Sequence, residues 1–188
     1  MKRRLLLASL GLVLTLMLLT PATALADNGR SLSTADFTGS GQLYVTYMPD
    51  PTVKGSTWRY HGETAVGFIS QCDWDLLAGT SFYTVHNSIV NVDKAGNANG
   101  VMTGTFSIAR PDGAGTLEGT FFGRIRGNLN TMVIMDEGTW IGTRGGGVFK
   151  NVKAWGKWSA DLKPGIVNGQ ITLMGPLTWE GRYISGMK

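Results

Sequence analysis

The chain has 188 residues and enough apolar side chains, 43% of the total, to build a sizeable core. Its single cysteine, Cys72, excludes an internal disulfide, and its two histidines, His61 and His86, are too few and too scattered for a metal site. The 17 Lys+Arg against 13 Asp+Glu form no clustered basic face, so no nucleic-acid partner is expected.

Lys2, Arg3 and Arg4 precede an apolar run from Leu5 to Leu19; Thr20 and Pro21 break it, and Ala24-Leu25-Ala26 supplies a small-x-small site. This is the pattern of a secretory signal peptide over residues 1–26. The run is shorter than the roughly 20 residues of a membrane-spanning helix. Residues 27–188 are then a single secreted domain, with no membrane contact expected after cleavage. Removing the signal takes three bases and no acid, leaving 14 Lys+Arg against 13 Asp+Glu, a net of +1. The basic balance is therefore mostly a targeting feature.

Beyond the signal, glycine or proline interrupts nearly every window long enough for a helix, while Val, Ile, Thr, Tyr, Phe and Trp alternate with polar residues. The first clean alternation puts Phe37, Gly39, Gly41, Leu43, Val45 and Tyr47 in one phase. The second sets Trp58, Tyr60, Gly62, Val66 and Phe68 against Arg59, His61 and Glu63, with His61 and Glu63 on the wet face. A short helical turn is considered near Cys72–Ala78. Strands follow at about 81–92 and 100–109, the second after a hairpin loop over 93–100. Leu117, Gly119, Phe121, Gly123 and Ile125 alternate with Glu118, Thr120, Arg124 and Arg126. Further strands are expected at 131–142 and 147–159, then a turn at Pro164-Gly165. The last run places Ile171, Leu173, Gly175, Leu177, Trp179, Gly181 and Tyr183 in one phase. Each strand thus has one buried and one wet face. Gly-Thr-Phe at 104–106 and 119–121 and Gly-Thr-Trp at 138–140 repeat at mid-strand, as hairpin repetition rather than a solenoid.

Eight glycines share the apolar phase: Gly39, Gly41, Gly62, Gly104, Gly119, Gly123, Gly175 and Gly181. An interior strand glycine costs about 0.5–1 kcal/mol relative to alanine, so eight need a reason. A tightly curved sheet crowds its concave side, and a large aromatic can lie over bare backbone. Both conditions belong to a closed small barrel. The reading is all-β: an antiparallel up-and-down β-barrel of about eight strands.

Residues 145–156, Gly-Gly-Gly-Val-Phe-Lys-Asn-Val-Lys-Ala-Trp-Gly, resemble the G-x-G-x-F-x-x-A-x-G strand of the allene oxide cyclase and dirigent barrel superfamily. Gly145, Gly147 and Phe149 match directly. Val152 and Ala154 occupy the small-residue positions, Val152 being larger than usual. The resemblance extends over roughly residues 100–183. It implies an eight-stranded barrel whose lumen can hold an apolar small molecule. Some members of those families are isomerases and others guide radical coupling. No catalytic residue of either maps onto this chain.

The candidate site residues follow from phase. Asp136 shares a face with Met132, Ile134 and Trp140 and is the candidate catalytic group, as a buried carboxylate with a raised pKa; a local bulge exposing it is the alternative. His86 shares a phase with Phe82 and Val90, which fits a satisfied core histidine better than a base. Trp140, Trp155, Trp158 and His86 are the ligand-binding candidates, Trp155 and Trp158 falling in opposite phases. Asp73 and Asp75 read as solvated carboxylates, and Asp93, Asn97 and Asn99 as turn chemistry rather than a calcium loop. No metal or cofactor is implied. The lead expectation is a barrel binding a small apolar or amphipathic molecule. A cofactor-free isomerase or cyclase with one buried acid, and an extracellular carbohydrate-binding or matrix module using exposed Trp, are the alternatives. The oligomeric state is not readable.

Overall fold

The structure is a computed structural model that describes residues 32–186; the signal peptide read at 1–26 lies outside them. Nine strands form: β1 (Leu32–Tyr47), β2 (Thr52–Lys54), β3 (Thr57–Cys72), β4 (Ser81–Val92), β5 (Asn97–Ala109), β6 (Gly115–Asn128), β7 (Val133–Gly147), β8 (Lys153–Val167) and β9 (Gln170–Gly186). Each pairs antiparallel with its neighbour in the order β1-β9-β8-β7-β6-β5-β4-β3-β2, and β1 also pairs with β3. That last pairing closes eight strands into a barrel and leaves β2 as a short arm on β3. The closed sheet has no free edge along most of its length, which removes a flat sandwich from consideration.

Interior glycines interlock with aromatic rings on the neighbouring strand. The two Gly-Thr-Phe triplets lie side by side in β5 and β6, so that Gly104 pairs with Phe121 and Gly119 with Phe106. A Cβ on Gly104 would sit 2.6 Å from Cζ of Phe121, and one on Gly119 would meet the Phe106 ring. Gly67 pairs with Phe82 in the same manner, and Gly181 with Phe37. Antiparallel pairing of a repeated Gly-x-Phe makes each ring cover its partner's bare backbone, and this lets broad rings share a narrow interior.

Register shifts also occur where β1 meets β3 and where β6 meets β7, but two departures from simple alternation change the reading of the site and of the turns. Gly62 is a β-bulge at φ 76°, opposite the step from Asn87 to His86, and its N–H donates to Asn87 Oδ1 at 2.9 Å. The extra residue reverses the facing of the rest of β3. Gly62 is therefore the hinge of that reversal. Beyond it Glu63, Ala65, Gly67 and Ile69 point inward, and Phe68 is exposed. The wet-face expectation for Glu63 is thus overturned, while His61, before the bulge, is exposed.

The second departure is at β8. Residues 148–152 form a turn, so strand β8 starts at Lys153 and the glycine-rich segment 145–156 spans a hairpin. Pro164 and Gly165 do not form the next turn. They lie within β8, opposite Leu173 and Thr172, and the turn is Asn168-Gly169, with φ of 50° and 80°. Two positive φ values suit a two-residue hairpin matching strand twist. Pro164 is tolerated because β7 pairs with β8 only as far as Leu162, leaving that side of the strand open.

In place of the helical turn expected near Cys72–Ala78, Cys72 ends β3 and residues 73–79 form non-helical turns that plug one end of the barrel. Trp74 stacks on Tyr183 at 4.2 Å between ring centroids and meets Phe149 edge-on, with Leu77 fully buried beside them. Asp73 anchors the plug by accepting hydrogen bonds from Thr38 N at 2.7 Å and Thr38 Oγ1 at 3.2 Å.

Gly119→Ala is expected to destabilise the fold by about 1–3 kcal/mol, because the new methyl must displace the Phe106 ring and backbone of β7. Gly186→Ala, with nothing within 4 Å, should change stability by less than about 0.5 kcal/mol. Urea unfolding of the two variants beside the wild type measures the difference; equal effects would remove the interlock as a stabilising feature.

Candidate functional site

The end opposite the plug is open. Exposed Met48 and Asn130, with Trp58, Leu129 and Met132, form the mouth of a lumen of about 340 Å³. Phe82, Phe106, Trp140 and Trp179 form its floor above the plug. The interior phase of every strand except β2 contributes to the wall, and the lining contains no Lys or Arg. A cavity of this size and apolar character matches a small-molecule site in a barrel mouth.

Its polar groups converge from three strands. Glu63 on β3, turned inward by the Gly62 bulge, is only 6% exposed. Ser88 on β4 donates to Glu63 Oε2 at 2.6 Å. Burial raises the Glu63 pKa, against the opposing effect of the Ser88 hydrogen bond. His86, two residues along β4, brings Nε2 to 3.5 Å from the same carboxylate oxygen. Burial lowers the His86 pKa to about 4, so the imidazole is neutral at pH 7 and the contact is not an ion pair. Its Nδ1 has no protein partner, so the expectation of a satisfied core histidine is corrected.

Asp136 on β7 faces the same lumen and is 6% exposed. Its strand neighbours, Ile125 on β6 and Ala160 on β8, offer neither a donor side chain nor a counter-charge. Burial, and secondarily the charge of Glu63, raise its pKa to about 8. Asp136 is thus a protonated acid at neutral pH, with Oδ1 unpartnered. The bulge considered as an alternative does not expose it.

The tryptophans divide by face. Trp140 and Trp158 line the lumen; Trp155 is 39% exposed on the outer wall. Trp158 packs edge-on against Phe121, which in turn packs against His86. The indole nitrogens of Trp140, Trp158 and Trp179 have no acceptor. Because Trp155 and Trp158 face opposite sides of β8, they cannot form one stacking platform for a sugar. At the mouth end, Asp93 accepts from Ala95 N and Asn97 N, a hydrogen-bonded turn as its composition implies. No group of three or more His, Cys, Asp or Glu among the described residues could hold a metal ion.

Glu63 and Ser88 escaped the sequence reading. The signal that could have found Glu63 is Gly62 itself, since an isolated glycine in a strand marks a bulge.

No protein-family model matches the chain, and no curated protein matches it. The functional reading therefore rests on the lumen.

The Asp136 pKa sets a stability profile. A carboxyl whose folded pKa lies above its unfolded value of 3.8 favours folding when protonated, and that contribution is lost as pH rises toward 8. Asp136→Asn should therefore gain stability over the wild type between pH 4 and pH 8. The gap should widen by at least about 1.4 kcal/mol, the equivalent of one pKa unit. Denaturant unfolding across that range measures it, and a constant gap would mean the carboxyl is not held neutral.

Proposed function

We propose that this is a secreted barrel that binds a small apolar or amphipathic molecule in its lumen. The observation carrying the reading is the open cavity of about 340 Å³, walled by aliphatic and aromatic side chains and floored by aromatic residues. A lumen that served only as structural core would be filled by side chains, as small barrels of this strand number often are. The N-terminal pattern at residues 1–26 supports the extracytoplasmic setting. The resemblance of residues 145–156 to allene oxide cyclase and dirigent barrels is compatible with this reading but rests on a short motif.

Asp136 and His86 favour a second reading, a cofactor-free isomerase or cyclase. One lumen holds an acid kept protonated to about pH 8 and an imidazole kept neutral down to about pH 4. Environments that push two titratable groups apart in this way suit a proton donor and a proton acceptor. Such an enzyme would lose turnover in Asp136→Asn while keeping its affinity for guests.

Uptake of N-phenyl-1-naphthylamine, an apolar fluorophore, tests the binding reading. The wild type should enhance its emission, and Ala65→Phe, which places a ring in the lumen wall, should weaken uptake by about tenfold, or roughly 1.4 kcal/mol. Absence of uptake by the wild type, together with failure of a broad lipid and terpenoid panel to bind in native mass spectrometry, would overturn it.

A further inference from the structure

The lumen's ionisable residues are unbalanced in sign. Its lining holds two carboxyls, Glu63 and Asp136, one neutral imidazole, His86, and one phenol, Tyr60; these lie on β3, β4 and β7. The other lumen-lining strands contribute no titratable group. The cationic side chains that pair with acids elsewhere do so away from the lumen, as in Arg182 with Asp36 and Arg110 with Asp112. Asp136 is itself more than nine-tenths buried, lines the cavity, and has an oxygen without any partner.

Aromatic rings connect the two acids around the wall. Asp136 is followed on the inward face of β7 by Gly138, whose partner on β8 is Trp158. Gly123, also paired with Gly138, leaves room for the Trp158 ring, which would lie 2.8 Å from a Cβ placed there. Trp158 meets Phe121 at 5.8 Å between centroids, and Phe121 meets His86 at 6.0 Å, beside Glu63. Carboxyls set among indole and phenyl rings attract a positive group in two ways: directly, and through the negative ring faces. Water-poor surroundings strengthen both attractions.

We propose, building on the lumen-binding reading, that the guest is an amphipathic cation, an alkyl or aryl ammonium whose charged end lies between Glu63 and Asp136 and whose apolar part extends toward the mouth at Met48 and Trp58. A bound cation supplies the counter-charge that the protein lacks there. An anion would meet two acids and no cationic side chain, and a neutral head group would leave the acids unbalanced when they ionise. Binding of the cation draws Asp136 into its ionised form and releases its proton to solvent.

Calorimetry with octyltrimethylammonium, 1-octanol and octanoate tests this. At pH 8 the ammonium should bind at least about tenfold more tightly than the alcohol, and octanoate should bind least. From pH 5.5 to 8 the ammonium should tighten and the alcohol weaken, since Asp136 ionises toward about pH 8 while His86 stays neutral throughout. Titration of the wild type at pH 7 in buffers of different ionisation heat should reveal proton release with the ammonium and none with the alcohol. Glu63→Gln and Asp136→Asn should each narrow the preference, and the wild-type proton release remains decisive if either variant fails to fold. An alcohol that binds as well as the ammonium, or tight octanoate binding, overturns the cation assignment while leaving the lumen-binding reading in place. Failure of all three to bind overturns the cation assignment, and the lumen-binding reading falls with it only if N-phenyl-1-naphthylamine and the lipid and terpenoid panel are also not bound.

Discussion

Ring-over-backbone packing is the constraint from which the rest of the molecule follows. Eight tilted strands enclose little width, and rings as broad as Phe82, Phe106, Phe121 and Trp158 fit only where a strand beside them, or one strand further on, presents no side chain. Gly67, Gly119, Gly104 and Gly123 provide those gaps. Their conformational cost is offset by the aromatic area they allow inside. Because the rings lean into the gaps, the middle of the barrel is only partly filled, and space remains above the Trp140–Trp179 floor.

Much of this was legible in the chain itself. Strict alternation around Phe37–Val45, Leu117–Ile125 and Leu173–Tyr183 identified inward faces, and the glycines in the apolar phase pointed to rings lying over bare backbone, whereas the repeated Gly-Thr-Phe read only as hairpin repetition. Asp136 was readable for the same reason, since β7 keeps its phase from Ile134 to Trp140. Glu63 was not, because one bulged residue reverses the parity of everything after it, and Gly62 looked like one more core-facing glycine. The turn at Asn168-Gly169 carried the stronger hairpin signal, yet Pro164-Gly165 competed with it. What decides such cases is whether the proline's missing N–H faces a partner, and that depends on where the neighbouring strand begins.

The chemistry of the lumen is thus set by register as much as by residue type. Val66 and Phe68 are apolar yet turn outward, whereas Glu63 is charged in isolation yet turns inward. Ser88 and His86 then meet that carboxyl because β4 runs without interruption opposite the bulge. The polar cluster combines a strand whose phase a bulge reverses with two whose phase runs unbroken past the site, so no contiguous motif records it.

The way the cylinder is sealed bears on how it comes into being. β1 has β3 on one side and β9 on the other, so the first strand made waits for the last before its second row of hydrogen bonds can form. Hairpins from β4 to β8 can zip locally, but closure joins the first and last of the described strands and carries a large loop entropy. The barrel therefore stays unsealed until β9 has been made, and its lumen takes shape only with that last pairing.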